Sequence, residues 1–393
     1  MEHGSVGERI AYWRKRRGLS QKVLAGLVGR SASWMTKVER GDRIVDKLSV
    51  LLALSYALKV DLGKLVGGVE LPPNGGGPLD PPRGIAAVRR ALFTPPPDRE
   101  PPPLAELRAG VDRAKRLREA GCYEAVGIVL PELLTAGRAA AAQDAPGAWW
   151  CLAGVYQVAA TLSRTVGGLD LALLAADRAV AAARRSGDGL LVAVSERRLA
   201  RTLMRVGLLD EAGAVCSNAA DALAPTDVTS LEGWAVWGSA QLTLAVAAVR
   251  GGDGAGAWRV LRDARGAAER VGSGRNDYWE AFGPANVGVI GVAVALEAGD
   301  PVEAMRVADT VEVDELPTAE RRARFCVYVA RGHALRLDDA ATVGLLLEAE
   351  RHSPEEVRHS VLARELARVC LGRERRSRTP SLRGLAERLG VLD

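Results

Sequence analysis

A glycine–alanine motif recurs between residues 167 and 304 of this 393-residue chain and constrains its fold more than any other feature. In each copy the glycine precedes the alanine by five residues, and successive copies begin 40, 45 and 47 residues apart. Such a period holds two antiparallel helices and a short turn, so the motif predicts a stack of helix pairs. The four copies are Gly167 with Ala172, Gly207 with Ala212, Gly252 with Ala257, and Gly299 with Ala304.

The composition also favours helices. Hydrophobic residues make up 48% of the chain but aromatic residues only 4%, which suits helices packed through small side chains better than β-sandwiches or barrels. The five cysteines are far apart and form no Cys-x-x-Cys pair, as expected of reduced thiols without a zinc site. The longest apolar run, residues 287–296, is much shorter than the roughly 18 residues that span a bilayer. We expect a cytoplasmic protein with no cofactor, no metal and no membrane contact.

The repeats resemble tetratricopeptide repeats, although their spacing exceeds the usual length of about 34 residues. In that family the two helices of a unit approach closely only where side chains are small, at one place in the first helix and two in the second. The resemblance puts an alanine at all nine such places in three successive units. These are Ala160, Ala172 and Ala179, then Ala200, Ala212 and Ala219, then Ala245, Ala257 and Ala264. The predicted fold class is therefore all-α, with a tetratricopeptide-like α-solenoid over residues 104–371.

Glycine and proline crowd residues 68–103, which we interpret as a linker. One island in it, residues 84–93, has helical spacing, and the sequence leaves open whether it docks on the domain before it or after it. At the other end, residues 354–371 are predicted to form one capping helix. A basic tail and a short terminal helix are expected over residues 372–393.

Positive charge is concentrated before the linker. Residues 1–67 contain 13 Lys or Arg and 6 Asp or Glu, whereas the whole chain has a net charge of +5. A polyanion-binding module needs such a local excess, although a solvated basic surface explains the charge equally well.

The same region predicts a small helical domain. Ser20 and Ser31 are placed to cap a second and a third helix, and Gly29 supplies the turn between them. A first helix is expected from Val6 to Arg17, and two more near residues 47–58 and 61–65. The residues expected to face the core of the first three helices are Ile10, Trp13, Leu24, Leu27, Val28, Met35 and Val38.

Two capped helices around a tight glycine turn form a helix-turn-helix. The segment Gly18-Leu19-Ser20-Gln21, followed by Ala25, Gly29, Ser31 and Glu39-Arg40-Gly41, resembles the phage-repressor (Xre or Cro) family of regulators. The run Gly29-Arg30-Ser31-Ala32-Ser33-Trp34 resembles a variant familiar among actinobacterial regulators. The resemblance implies a five-helix, phage-repressor-like domain whose third helix lies in the major groove of double-stranded DNA.

Carried over position by position, the resemblance assigns individual roles on DNA. It puts Ala32, Ser33 and Lys37 at base-reading positions, where a methyl, a hydroxyl and an ammonium group can contact base edges. Arg14 and Glu39 match a pair that joins the first and third helices inside the domain. Arg30 and Trp34 depart from the usual residues of the family, and Trp34 has an alternative role in packing within its own domain. The residues expected to contact phosphates are Gln21, Arg30, Trp34, Arg40 and Lys47.

The repeats also suggest a ligand groove. Amide and guanidinium groups on its surface match the backbone or carboxylate of an extended peptide, and the two-domain order resembles that of bacterial peptide-sensing regulators. Two alternatives to ligand binding are that these polar groups are solvated or that they pair within the protein. For the aromatic residues of the segment 276–286, the alternative is packing in the core. The candidate groove residues are Gln157, Arg164, Arg197, Arg201, Trp279 and Asn286.

These observations lead to one functional hypothesis and one alternative. The chain is predicted to be a homodimeric, sequence-specific DNA-binding transcriptional regulator whose repeats dimerise and sense a peptide or small-molecule effector. The alternative is a scaffold that recruits a protein partner through its repeats. The sequence has neither a phosphate-binding Gly-x-x-x-x-Gly-Lys-Ser/Thr loop nor a His-Glu-x-x-His motif, so no enzymatic activity is expected.

Overall fold

The computed structural model divides the chain into two compact units, Met1–Pro78 and Leu79–Asp393. It describes residues 6–42, 84–95, 100–223, 230–373 and 379–392, together with positions 45, 50, 54, 57, 58 and 60. Within these residues the regular secondary structure is helical throughout, which confirms the all-α prediction. Lys47, the helix predicted over residues 61–65 and most of the expected linker lie outside the described residues.

The first unit begins with three helices in the predicted places. They are α1 (Val6–Arg16), α2 (Gln21–Leu27) and α3 (Ala32–Glu39). The Ser20 hydroxyl accepts a hydrogen bond from the backbone N–H of Val23, and Ser31 accepts one from Trp34, both at 3.1 Å. Each serine thus satisfies an N–H group that a helix start leaves without a partner.

A small core joins these helices, and it corrects one sequence expectation. Leu24, Met35 and Leu54 are fully buried. Leu27, which was predicted to face the core, is 61% exposed. Leu27 lies about 200° round the helix from the buried Ala25, and this rotation turns it toward solvent.

Helices α1 and α3 touch through backbone atoms at Gly7. A Cβ atom added there would lie 2.0 Å from the carbonyl oxygen of Val38, a distance no real side chain tolerates. Glycine at this position therefore allows α3 to lie directly against α1.

The second unit is a body of paired helices, preceded by a short docked helix. The helices are α4 (Ile85–Phe93), α5 (Leu104–Glu119), α6 (Tyr123–Ala142), α7 (Ala148–Thr165), α8 (Leu169–Ser186), α9 (Gly189–Arg205), α10 (Leu209–Asp221), α11 (Leu231–Gly251), α12 (Gly254–Val271), α13 (Pro284–Ala298), α14 (Pro301–Ala308), α15 (Ala319–Leu335), α16 (Asp339–His352), α17 (Pro354–His359), α18 (Val361–Gly372) and α19 (Leu382–Arg388). Two short 3₁₀ turns, Asp277–Trp279 and Val313–Glu315, lie between pairs.

The glycine of the repeat motif ends the first helix of each pair. Gly167, Gly207, Gly252 and Gly299 have φ of +86°, +87°, +95° and +84°, a left-handed conformation that glycine adopts without strain. The motif alanine lies early in the next helix and is fully buried. The motif is therefore a turn followed by a close helix contact.

All nine alanines expected at helix contacts are buried. Ala160 is 2% exposed and the other eight are 0% exposed. Because a methyl group is small, the buried alanines permit close packing within each pair. The prediction of a helical repeat body is confirmed.

Helix α4 docks on the second unit. Val88 and Leu92 are fully buried in the same core cluster as Leu130 of α6. Arg178 donates a hydrogen bond to the Leu92 carbonyl oxygen at 2.6 Å and thereby fastens the end of α4 to α8. Residues 84–93, whose docking partner the sequence left open, therefore belong to the repeat body.

The capping segment differs from the expectation of a single helix. It consists of α17 and α18, separated at Ser360, whose hydroxyl accepts a hydrogen bond from the backbone N–H of Ala363 at 3.2 Å. A serine that satisfies the start of a new helix favours a break over a continuous helix. The short terminal helix, α19, is present as expected.

Among the residues that the structure describes, two segments are long and apolar enough to cross a membrane by length and composition, Tyr123–Ala142 and Asp277–Ala298. Of the most apolar 18 residues of each segment, 50% are buried inside the repeat body in the first segment and 72% in the second. Core helices pass the same test, so these segments are weak evidence for a membrane span.

Candidate functional site

Helix α3 presents one side to solvent. Ala32, Ser33 and Lys37 are exposed, whereas Met35 and Val38 are buried on the opposite side. Ser33 and Lys37 are four residues apart and therefore share a helix face. The three residues predicted to read bases are all accessible; their contact with bases stays a prediction.

The residues predicted to contact phosphates differ in their exposure and in their partners. Arg30 and Arg40 are exposed, and the Arg30 guanidinium lies 5.8 Å from the ring centre of the half-buried Trp34, a cation–π contact. Trp34 also packs against the core of the first unit, in line with its alternative role, and a phosphate contact by Arg30, Trp34 or Arg40 stays a prediction. Lys47 lies outside the described residues.

Gln21 is engaged inside the domain. Its Nε2 donates to Oε2 of Glu39 at 2.8 Å, and its Oε1 accepts from the Thr36 hydroxyl at 2.9 Å. Both ends of the amide are thus held by α3. A phosphate contact through this side chain would have to share or replace one of these hydrogen bonds.

The predicted pair between α1 and α3 is present. Arg14 donates from Nε and Nη2 to the two carboxylate oxygens of Glu39 at 2.5 and 2.8 Å, and from Nη1 to the Leu19 carbonyl oxygen at 2.8 Å. Burial acts to raise the pKa of Glu39, but the hydrogen bonds from Arg14 and Gln21 outweigh it and hold that pKa below its usual value. The pair fixes the orientation of α3.

In the repeat body, three of the six candidate groove residues have partners within the protein. The Gln157 Nε2 atom donates to the Ser195 hydroxyl at 2.9 Å, and Gln157 is only 1% exposed. Asn286, also buried, accepts a hydrogen bond from Arg321 at 2.6 Å. Arg197 forms an ion pair with Glu280. We interpret these three side chains as structural.

Glu280 is the centre of a buried ion cluster. Its side chain is 0% exposed, and its carboxylate pairs with Arg197 and, at 2.9 Å, with Arg198. The two arginines lower the pKa of Glu280 despite the opposing effect of burial. Glu280 lies in the segment 276–286 that the sequence singled out, but neither its role nor Arg198 was predicted, because a contact across 82 residues leaves no local pattern.

Trp279 belongs to a segment with unusual backbone geometry. Tyr278, Trp279 and Ala281 have φ of +49°, +62° and +48° without being glycine. The buried ammonium group of Lys115 lies 5.7 Å from the Trp279 ring centre and 5.1 Å from that of Trp150. Burial lowers the pKa of Lys115 to about 8. Such strain persists only where surrounding contacts hold it, and it is common at functional sites.

The remaining groove candidates, Arg164 and Arg201, line one cavity. The cavity opens to solvent and has an enclosed volume of about 10 Å³, roughly the space for one water molecule. It is also lined by Ala160, Thr161, Arg198 and Thr202. The structure thus brings together two of the predicted residues and adds Arg198 and Thr202, which sequence reasoning missed. Their spacing by four residues on α9 was the available signal.

Three potential metal ligands lie close together in the repeat body, although the sequence predicts no metal site. Cys326, Glu348 and His352 each bring one potential ligand atom within 4.8 Å of the others. Burial raises the pKa of Cys326 to about 12, which disfavours the thiolate that binds metal. The three residues are also one ligand short of a structural zinc site.

A comparison with known protein families supports the helix-turn-helix prediction for the first unit. Residues 5–65 match the family model described as a helix-turn-helix domain. No curated protein sequence matches the chain.

Two solved structures show a distant likeness. The crystal structure of Bacillus thuringiensis PlcR in complex with the peptide PapR7 and DNA is 12% identical, covers 85% of this chain and 98% of its own, and has a TM-score of 0.40. A circular tandem repeat protein is 15% identical over 98% of this chain and 97% of its own, with a TM-score of 0.24. Both TM-scores are too low to establish a shared fold. The N-terminal unit is a helix-turn-helix domain, and a helical repeat body follows it.

Proposed function

We propose that this protein is a sequence-specific, DNA-binding transcriptional regulator of the Xre/Cro type. The observation that carries the proposal is the exposed face of α3, which displays Ala32, Ser33 and Lys37 in a domain that matches the helix-turn-helix family. The positive charge of residues 1–67 supports it, because phosphate contacts supply much of the affinity for DNA. On this account Lys37 donates to a guanine, while Arg30 and Arg40 contact phosphates.

The regulator is proposed to act as a homodimer. Helix-turn-helix proteins commonly bind two half-sites about one helical turn apart, so their operators are palindromic. The repeat body, which we regard as tetratricopeptide-like and of the actinobacterial type, would set the separation of the two DNA-binding units. An effector that favours one arrangement of the bodies would then shift the affinity for DNA.

A mobility-shift competition tests the proposal. The full chain is incubated with the labelled promoter of its own or an adjacent gene, at moderate salt and with excess random duplex. A regulator retains the labelled complex and releases it to unlabelled promoter. A scaffold whose N-terminal unit has lost DNA recognition would bind promoter and random duplex equally, and the binding would disappear as salt rises.

A further inference from the structure

The cavity between α7 and α9 has an unusual lining. Arg164, Arg198 and Arg201 contribute guanidinium groups, and Thr161 and Thr202 contribute hydroxyl groups. Arg198 pairs at 2.9 Å with Glu280, a carboxylate that it shares with Arg197. Within the part of the chain that the structure describes, Arg164 and Arg201 have neither an ion-pair nor a hydrogen-bond partner.

The nearby carboxylates are committed elsewhere. Glu320 pairs with Arg324 and lies 3.6 Å from Arg118, while Glu356 accepts from Tyr123 and pairs with Arg324 at 3.1 Å. Both carboxylates are bonded to other side chains, and neither forms an ion pair with Arg164 or Arg201. The residues that line the cavity include three arginines and no acidic residue. The charge that faces the cavity is therefore positive.

The two arginines also disfavour each other electrostatically. Burial lowers the pKa of Arg164 to about 10 and that of Arg201 well below its usual value, and the charge of Arg164 lowers the pKa of Arg201 further. Both are treated as cationic at neutral pH, because the guanidinium group of arginine stays protonated in proteins. A bound dianion would relieve this repulsion.

The hydroxyl groups can take part in such binding. Thr161 and Thr202 each donate to the backbone carbonyl oxygen four residues earlier, at 3.0 and 3.1 Å. Those carbonyl oxygens can also accept the ordinary helical hydrogen bond, so the hydroxyls can turn toward a ligand at little cost. The two hydroxyl groups thus add uncharged hydrogen-bond donors beside the two guanidinium groups.

We propose that this cavity binds a phosphate group, either free phosphate or the phosphate of a small monoester. A phosphate carries a charge of about −1.5 to −2 at neutral pH, which matches two unpaired arginines, whereas one carboxylate neutralises only one of them. The enclosed space holds only about one water molecule, so the phosphate lies at the mouth of the cavity, where Arg164 and Arg201 are partly exposed. Any larger effector places only its phosphate there. The inference deepens the sensing role proposed for the repeat body, but phosphate binding itself does not depend on DNA recognition.

Ligand titration of the full chain tests the proposal. Thermal unfolding is followed as inorganic phosphate, phenyl phosphate or acetate is added at constant ionic strength. We expect the melting temperature to rise saturably with either phosphate compound, with much less effect from acetate. A monoester that binds at least tenfold more tightly than free phosphate would identify the monoester as the source. Absence of a saturable rise, or an equal rise with acetate, would overturn the proposal.

Three variants sharpen the test. Arg164→Gln and Arg201→Gln are each expected to weaken phosphate binding by tenfold or more, and neither should lower the melting temperature without ligand, because each removes an unpaired cation. Arg262→Gln, which removes the same charge from an exposed position on α12, should bind phosphate as the parent chain does. Undiminished binding by both cavity variants would overturn the assignment.

DNA binding is measured in parallel, without phosphate. Specific DNA binding without phosphate binding would contradict this inference alone. Phosphate binding without specific DNA binding would contradict the proposed regulator function alone.

Discussion

Arg14 and Glu39 lie 25 residues apart in sequence, yet two hydrogen bonds of 2.5 and 2.8 Å join their side chains. The contact connects α1 to the end of α3, and Gln21 of α2 donates to the same carboxylate at 2.8 Å. One glutamate therefore holds all three helices of the helix-turn-helix. The exposed face of α3 is oriented by this carboxylate.

Acid should loosen this connection. The pKa of Glu39 is lower in the folded chain than in the unfolded chain, so its contribution to stability is complete above the unfolded pKa of about 4.3 and is lost as the pH falls through the folded value. Glu39→Gln should destabilise the first unit by about 1.5–3 kcal/mol at pH 7 and remove this part of its acid sensitivity. Urea unfolding of parent and variant at pH 7 and pH 3 measures the difference, and equal pH dependence in both would contradict it.

Gly7 should not tolerate a methyl group. Gly7→Ala puts a Cβ atom 2.0 Å from the Val38 carbonyl oxygen and should destabilise the first unit by about 1–3 kcal/mol. Gly26→Ala is the matched control, because no atom lies within 4 Å of its added Cβ on α2. The control should be neutral or slightly stabilising. Hydrogen exchange of α1 and α3 amides reports both effects, and similar protection in the two variants would refute the close contact.

Lys37 and Arg40 should differ in how they affect DNA binding. Lys37→Ala should relax base preference at one operator position, by about 1–3 kcal/mol of discrimination. Arg40→Ala should weaken binding to all duplexes and reduce the salt slope by about one. Salt-dependent titrations on operator and random duplex separate the two effects. An equal loss on both duplexes for Lys37→Ala would remove this residue from the base readers.

Lys115 should make the body more stable at alkaline pH. Its pKa is near 8 in the folded chain and about 10.4 in the unfolded chain, so its charged form carries a desolvation penalty below pH 8. The penalty is released as the pH rises from about 8 to about 10.4, for a gain on the order of 3 kcal/mol. Lys115→Met should lack this gain, and unfolding of both proteins between pH 7 and pH 10 measures it. Parallel curves would contradict the burial of a charged lysine.

Local chemistry explains which parts of the fold could be predicted. Ser20, Ser31 and the motif glycines act through their immediate neighbours, so the helix ends follow from the sequence. The nine alanines followed from the repeat period together with the resemblance to tetratricopeptide repeats, and all nine are buried as predicted. Leu27 was misjudged because a seven-residue helix offers too little periodicity to fix its rotation.

The cavity could be predicted only in part. Arg164 and Arg201 follow from their places in the repeat, but the pairing of Arg197 and Arg198 depends on Glu280, about 80 residues away. That pairing results from how the strained segment at Trp279 packs against α9. Sequence patterns within one helix carry no information about such a contact.

Selection of DNA from a random pool tests the central claim most directly. The purified full chain is mixed with random duplexes at moderate salt, and the bound fragments are sequenced over successive rounds. The account predicts one enriched, palindromic motif whose half-sites are about one helical turn apart, with enrichment lost at one position for Lys37→Ala. Bound fragments with the same base composition as the starting pool would contradict DNA reading by α3.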